Sequence, residues 1–224
     1  MRKSLRNHVV PEKIPEPFVD LYVGFARKAF DLYYLETARE IITFCPAGHI
    51  LDVGCGPGFL PIQLARLSDE VKVHGVDLSP KMIRLATENA KTFHLEARLR
   101  FTVDDGNRLR HIPGERYDMV VSTGVFHSLK RPEIFLNECH RVLKTGREAW
   151  VFDPAQIVSS RVSLWGVGGK LFHKLIPFLG MVLLFRLFKP RQYSLQEVME
   201  LISKSRFSSH TVSGNGYLRM KLRK

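Results

Sequence analysis

The sequence predicts an α/β fold in which a mostly parallel sheet carries helices on both faces. Short apolar runs alternate with stretches of helical periodicity from residue 49 to residue 152, and a glycine-rich turn joins the first run to the first of these helices. A last pair of strand-like runs is linked through Gly214, Asn215 and Gly216, which reads as a closing hairpin. Alternating strands and helices need crossover connections, and these cover both sides of the sheet. A chain of 224 residues, 45% of them apolar, has material for one core, so a single domain over 1–224 is expected.

Residues 10–17 are rich in proline and read as an extended lead-in. A helix is expected over 20–44, with Leu21, Phe25, Leu32, Leu35 and Ile42 as its apolar stripe, so that 1–45 forms a helical N-terminal element. Strands follow at 49–53, 71–77, 99–103 and 117–122, with helices at 60–67 and 79–93. Ser79-Pro80 opens the second of these, because the serine oxygen accepts from free amides and proline is preset for a first turn. A helix over 132–144 is expected to stop at Thr145-Gly146, where glycine permits a left-handed cap, with a strand at 149–152 beyond it. Ser194 and Glu197 have the spacing of a capping box for a helix running to Ser203. The closing strands fall at about 208–212 and 217–222.

Three cysteines, Cys45, Cys55 and Cys139, are too scattered for a disulfide framework and contain no Cys-x-x-Cys pair. Reduced thiols are expected, with Cys139 buried at a helical core spacing. The basic opening is not followed by the apolar stretch of a secretory signal, which points to the cytosol. The net charge of +12 is uneven: residues 156–224 hold twelve Lys or Arg against Glu197 and Glu200. That third either meets an anionic surface or forms a solubilising basic face.

The expected first strand runs straight into Gly54-Cys55-Gly56-Pro57-Gly58. Glycines there let the backbone turn sharply and approach a ligand. A dinucleotide site would want its third glycine at 59, where this chain has Phe59, and Pro57 removes an amide that could face a phosphate. Asp77 ends the second strand, where a carboxylate can accept from both ribose hydroxyls, and the third strand ends in Asp104-Asp105. An adenosine-containing ligand is expected.

The run Leu51-Asp-Val-Gly-Cys-Gly-Pro-Gly-Phe-Leu60 resembles the first motif of class I, Rossmann-like S-adenosylmethionine-dependent methyltransferases, of the type acting on small molecules. The segments 75–82, 116–129 and 136–146 extend the likeness over about residues 45–155, and 216–222 is similar to the family's last strand. The resemblance implies a seven-stranded sheet with an antiparallel last strand, and S-adenosylmethionine as cofactor. It places Gly54, Cys55, Gly56 and Gly58 at the amino-acid end of the cofactor, with Asp52 organising the loop. Asp77 would hold the ribose, Leu78 and Met82 would pack the adenine, and Asp104, Asp105 and Ser122 complete the cofactor set. Two departures stand out: His127-Ser128 replaces a frequent His-His, and Thr145-Gly146-Arg147 replaces Pro-Gly-Gly.

A sulfonium methyl is already activated, so such a protein chiefly aligns a nucleophile behind it, which supplies roughly 7 to 11 kcal/mol of the barrier. A hydroxyl or ammonium acceptor also needs a base. His127 is the first candidate and Asp153 the second. Residues 159–190 form an apolar and basic insertion, too short in its uncharged run at 175–185 and too broken by Pro177 to span a bilayer. It reads either as a lid or as a helix on a membrane surface, in which case the protein is peripheral at the inner membrane face. Both readings imply an apolar, lipid-like or quinone-like acceptor.

The basic pI of about 9.8 raises nucleic-acid methylation as an alternative. Against it, Ser122-Thr-Gly-Val125 stands where amino-methylating DNA and RNA enzymes of the class place an Asn or Asp, two prolines and an aromatic residue. A protein methyltransferase, a cofactor-binding scaffold without catalysis and a nicotinamide oxidoreductase remain further alternatives. The nine histidines show no recurring ligand spacing, so no metal is expected. The sequence leaves the oligomeric state open.

Overall fold

The computed structural model describes residues 12–29, 31–153, 193–214 and 218–224. Proposed segment 159–190 lies outside the described residues, as does the connection at 215–217 of the closing hairpin.

Seven strands form one sheet: β1 (Gly48–Val53), β2 (Val71–Asp77), β3 (Leu99–Val103), β4 (Tyr117–Thr123), β5 (Leu143–Asp153), β6 (Ser209–Ser213) and β7 (Leu218–Arg223). Their order is β3-β2-β1-β4-β5-β7-β6. The first five run parallel, and β7 lies antiparallel between β5 and β6. The chain therefore reverses its direction of winding between β1 and β4, which opens a crevice at the carboxyl ends of these two strands.

Alternating residues of the strands enter two separate cores. Leu51, Val53, Val120, Ala149 and Val151 face one, with α5 (Pro132–Val142) and α6 (Leu195–Ser203) above them through Phe135, Leu136, Val198 and Ile202. Ile50, Met119, Val121, Trp150 and Phe152 face the other, with α2 (Asp31–Phe44), α3 (Phe59–Leu67) and α4 (Pro80–Thr92) contributing Ile41, Leu60, Leu64 and Ala90. Each large side chain so buried contributes about 1.5 to 3 kcal/mol. The expected helix-covered parallel sheet with an antiparallel last strand is the architecture found.

Most element limits agree with the sequence, including the Ser79 cap, whose oxygen accepts from the Met82 amide, and the Ser194–Glu197 capping box. Two do not. The long helix expected over 20–44 is two helices, α1 (Val19–Ala29) and α2, after a short 3-10 turn at Glu16–Phe18. Its stripe is also shifted: Leu21 and Leu32 are exposed, whereas Val19, Ala26, Ala38 and Ile41 are fully buried. Second, α5 stops at Val142 and β5 begins at once, well before the expected 149. Residues 144–147 loop out between Leu143, opposite Tyr117, and Glu148, opposite Met119, with Gly146 at φ 74°. Lys144 and Arg147 turn back onto Asp118, so an ion-pair cluster holds the bulge that glycine allows.

All three cysteines are free and buried. Among the described residues no helix is long and apolar enough to cross a membrane, and no cluster of three His, Cys, Asp or Glu could hold a metal ion.

Candidate active site

The crevice at the β1/β4 edge opens into a cavity of about 230 Å³. Its floor is the loop leaving β1. Gly54 has φ 81°, and a Cβ there would sit 2.2 Å from Val125 Cγ2, so only glycine lets this turn pack against the loop after β4. Gly56, at φ 51°, has open space where a Cβ would project, and its amide donates to Asp77 Oδ2 at 2.9 Å. The loop thus presents bare backbone to the cavity, as close approach of a ligand requires.

Asp77 stands at the end of β2 with its other oxygen accepting from the Ser79 amide at 2.8 Å. Burial raises its pKa, while these two amides act against the rise. Each carboxylate oxygen retains a lone pair, so two ribose hydroxyls could still donate to it. Leu78 and Met82 line the cavity beside it, as do Cys55, Asp104 and Asp105. The Asp105 side chain accepts from the Asn107 amide, and Asp104 accepts from the Asp105 amide.

Asp52 lies beneath the loop, fully buried, and neither carboxylate oxygen has a hydrogen-bond partner among the described residues. Burial and then the nearby charge of Asp77 push its pKa up to about 8. An unpartnered buried carboxylate is costly, and a cationic ligand group nearby would relieve that cost. The amino-acid end of S-adenosylmethionine carries such a group, an ammonium. The open cradle at Gly56 and the orphaned Asp52 therefore fit that cofactor. Gly58 and Ser122 stand behind the wall instead. Gly58 caps α3 in the left-handed region, and the Ser122 hydroxyl donates to Val53 O at 2.7 Å, tying β4 to β1. Thr123, one residue on, faces the cavity.

The two acid–base candidates, separate in sequence, meet in the structure. Pairing of β4 with β5 sets Thr123 opposite Phe152, which carries the following Asp153 to the base of the short 3-10 turn Phe126–Ser128. Asp153 is wholly buried; it accepts from the His127 amide at 2.9 Å and faces His127 Nδ1 at 3.0 and 3.1 Å. A carboxylate accepts, so Nδ1 carries the proton and Nε2 is the nitrogen left for a ligand. His127 itself lines the cavity; Asp153 does not.

Several lining residues escape sequence reasoning. The N-terminal segment supplies Glu12 to Pro15 and Tyr22, and α2 supplies Tyr33 and Tyr34. Burial raises the pKa of Tyr22 to about 12 and that of Tyr34 well above the usual phenol range. The adjacent tyrosines in α2 were the available signal, although nothing local to them says which helix crosses the cavity.

A sheet of this order, with its cavity at the switch point and a glycine loop on its floor, defines a Rossmann-like cofactor-binding domain. Residues 50–146 match the model of the methyltransferase domain family. A ubiquinone biosynthesis O-methyltransferase of Cereibacter sphaeroides is 34% identical over 97 residues, 43% of this chain and 37% of that protein. A release factor glutamine methyltransferase of Koribacter versatilis is 42% identical over 91 residues, 40% of this chain and 31% of that protein. The chain spans about a third of the length of these curated relatives. A SAM-dependent methyltransferase from Aquifex aeolicus has the same fold, with a TM-score of 0.66 at 20% identity over 94% of this chain and 98% of that one. Over residues 50–146 the chain is similar to the methyltransferase domain family, and its fold is that of S-adenosylmethionine-dependent methyltransferases.

Proposed function

We propose that the protein transfers the methyl group of S-adenosylmethionine to a hydroxyl on a small, largely apolar acceptor. The observation that carries this reading is the His127–Asp153 pair beside the cavity whose floor is the glycine loop. Bound S-adenosylmethionine supplies an activated methyl group. Gly54, Cys55 and Gly56 hold its amino-acid end above Asp52, Asp77 accepts from the ribose, and Leu78, Met82, Asp104 and Asp105 surround the adenine. His127 Nε2 takes the acceptor proton while Asp153 keeps the ring in the tautomer that leaves Nε2 basic. Val125, Leu129 and Phe135, with the tyrosines opposite, exclude water and suit an apolar acceptor. The named ubiquinone relative supports a hydroxyl-bearing small molecule, and the release factor relative supports a protein substrate. The absence of an Asn or Asp, two prolines and an aromatic residue after β4 argues against amino methylation of nucleic acid.

The test is incubation with methyl-labelled S-adenosylmethionine and a panel of phenols, long-chain alcohols, long-chain amines, RNA and protein, followed by partition of the label. Label in a phenol or alcohol, lost on His127→Ala, is the expected result. Label confined to amines, RNA or protein rejects the acceptor, and label in phenol with undiminished rate in His127→Ala rejects the base.

A further inference from the structure

The segment before α1 crosses the cavity and is fastened on both sides. Glu12 Oε1 accepts from the Lys130 amide at 2.9 Å, next to the loop that carries His127. Glu16 Oε1 accepts from the Ser79 hydroxyl at 2.8 Å, across 63 residues of sequence. Lys81 Nζ meets Asp20 Oδ2 at 2.7 Å just beyond. Between these fastenings Lys13, Ile14 and Pro15 line the cavity.

Ser79 is the joint through which the segment reaches the site. Its amide donates to Asp77 Oδ1, and its hydroxyl accepts from the Met82 amide at 3.2 Å while donating to Glu16. With one oxygen giving its proton to Glu16 and its lone pair to Met82, both the Asp77 carboxylate and the first turn of α4 are set in one geometry. Without that acceptor the Ser79 hydroxyl loses its fixed orientation, and the turn that its amide bond to Asp77 and its hydroxyl bond to Met82 hold together loosens. Linked hydrogen bonds of this kind are worth more than their parts where water is scarce, and Ser79 is 1% exposed.

We propose that Glu16 is a positioning residue of the cofactor site: acting through Ser79, it fixes the Asp77 carboxylate and so couples seating of the N-terminal segment to binding of the ribose. The proposal rests on the assignment of Asp77 to the ribose. Glu16 lies outside the matched residues 50–146.

The experiment measures the Kd for S-adenosylhomocysteine by titration calorimetry in Glu16→Ala, Glu16→Gln, Asp77→Asn and the double variant Glu16→Ala/Asp77→Asn, with a thermal melt of each. Glu16→Ala should raise Kd about tenfold, the scale of one hydrogen bond to a charged group. Glu16→Gln, which still offers an oxygen to Ser79, should stay within about twofold of the parent, and Glu16→Ala should add little once Asp77→Asn is present. An unchanged Kd in Glu16→Ala, or a loss of equal size in both backgrounds, overturns the proposal. An unchanged Kd in Asp77→Asn instead overturns the ribose assignment beneath it.

Discussion

Replacing Asp153 by Asn tests the acid–base pair without disturbing its shape. The asparagine oxygen can still accept from the His127 amide, now bonded to the carboxylate at 2.9 Å. Its amide nitrogen, however, donates toward Nδ1, which lies 3.0 to 3.1 Å from the carboxylate oxygens. The imidazole proton then moves to Nε2, and the nitrogen meant to take the acceptor proton becomes a donor. General base catalysis of this type contributes about 10²- to 10⁴-fold, or about 2.7 to 5.4 kcal/mol of barrier. Single-turnover transfer from labelled S-adenosylmethionine to a hydroxyl acceptor should slow by that factor in Asp153→Asn, while the Kd for S-adenosylhomocysteine holds. A variant that transfers methyl at the parent rate would refute the orienting role. One that loses cofactor binding to the same extent as rate would move Asp153 from the acceptor to the cofactor.

Three other outcomes follow from the geometry. Gly54→Ala meets both a left-handed backbone and Val125 Cγ2, and should destabilise the fold by roughly 2 to 5 kcal/mol in urea titration; Gly56→Ala, with open space at its Cβ but the same left-handed backbone, should lose only the backbone part, about 1 to 2 kcal/mol, and should lose cofactor affinity as well. Asp52→Asn should stabilise the ligand-free protein, because a carboxyl whose folded pKa is raised to about 8 by burial and Asp77 contributes stability that is complete below its unfolded value near 4 and is lost as pH rises through 8; the gain, read from urea midpoints, should therefore grow between pH 6 and pH 9. His74, held at 2.6 Å by the Tyr117 hydroxyl and at 2.7 Å by Thr102, has its pKa lowered to about 4 by burial and then by Arg100. The folded state resists its protonation, so stability should fall as pH drops from about 6.5 toward 4; His74→Gln should flatten that part of the profile.

The parts of the fold written in local pattern were legible. The strands at 71–77 and 99–103, the Ser79 cap and the Ser194–Glu197 box each depend on residues within one element. The glycine loop and Asp77 were legible for the same reason: strand, turn and strand end are fixed by a short stretch of chain. The break between α1 and α2 was not, because apolar residues such as Leu32 fit a helical stripe whether or not the core lies on that side. The early start of β5 depends on Asp118 collecting Lys144 and Arg147 from a neighbouring strand. His127 and Asp153 could each be picked out as titratable residues at strand ends, yet their pairing exists only because β4 and β5 are adjacent. The N-terminal segment is the clearest case, since Glu12 and Glu16 find partners 118 and 63 residues away.

The most direct measurement of the central claim is titration calorimetry of the purified protein with S-adenosylhomocysteine, with reduced nicotinamide adenine dinucleotide as the competing ligand. A cavity floored by Gly54 and Gly56, with Asp77 beside it, predicts one S-adenosylhomocysteine per chain, weakened by Gly56→Ala, and no uptake of the dinucleotide. Binding of the dinucleotide with none of S-adenosylhomocysteine would contradict the account.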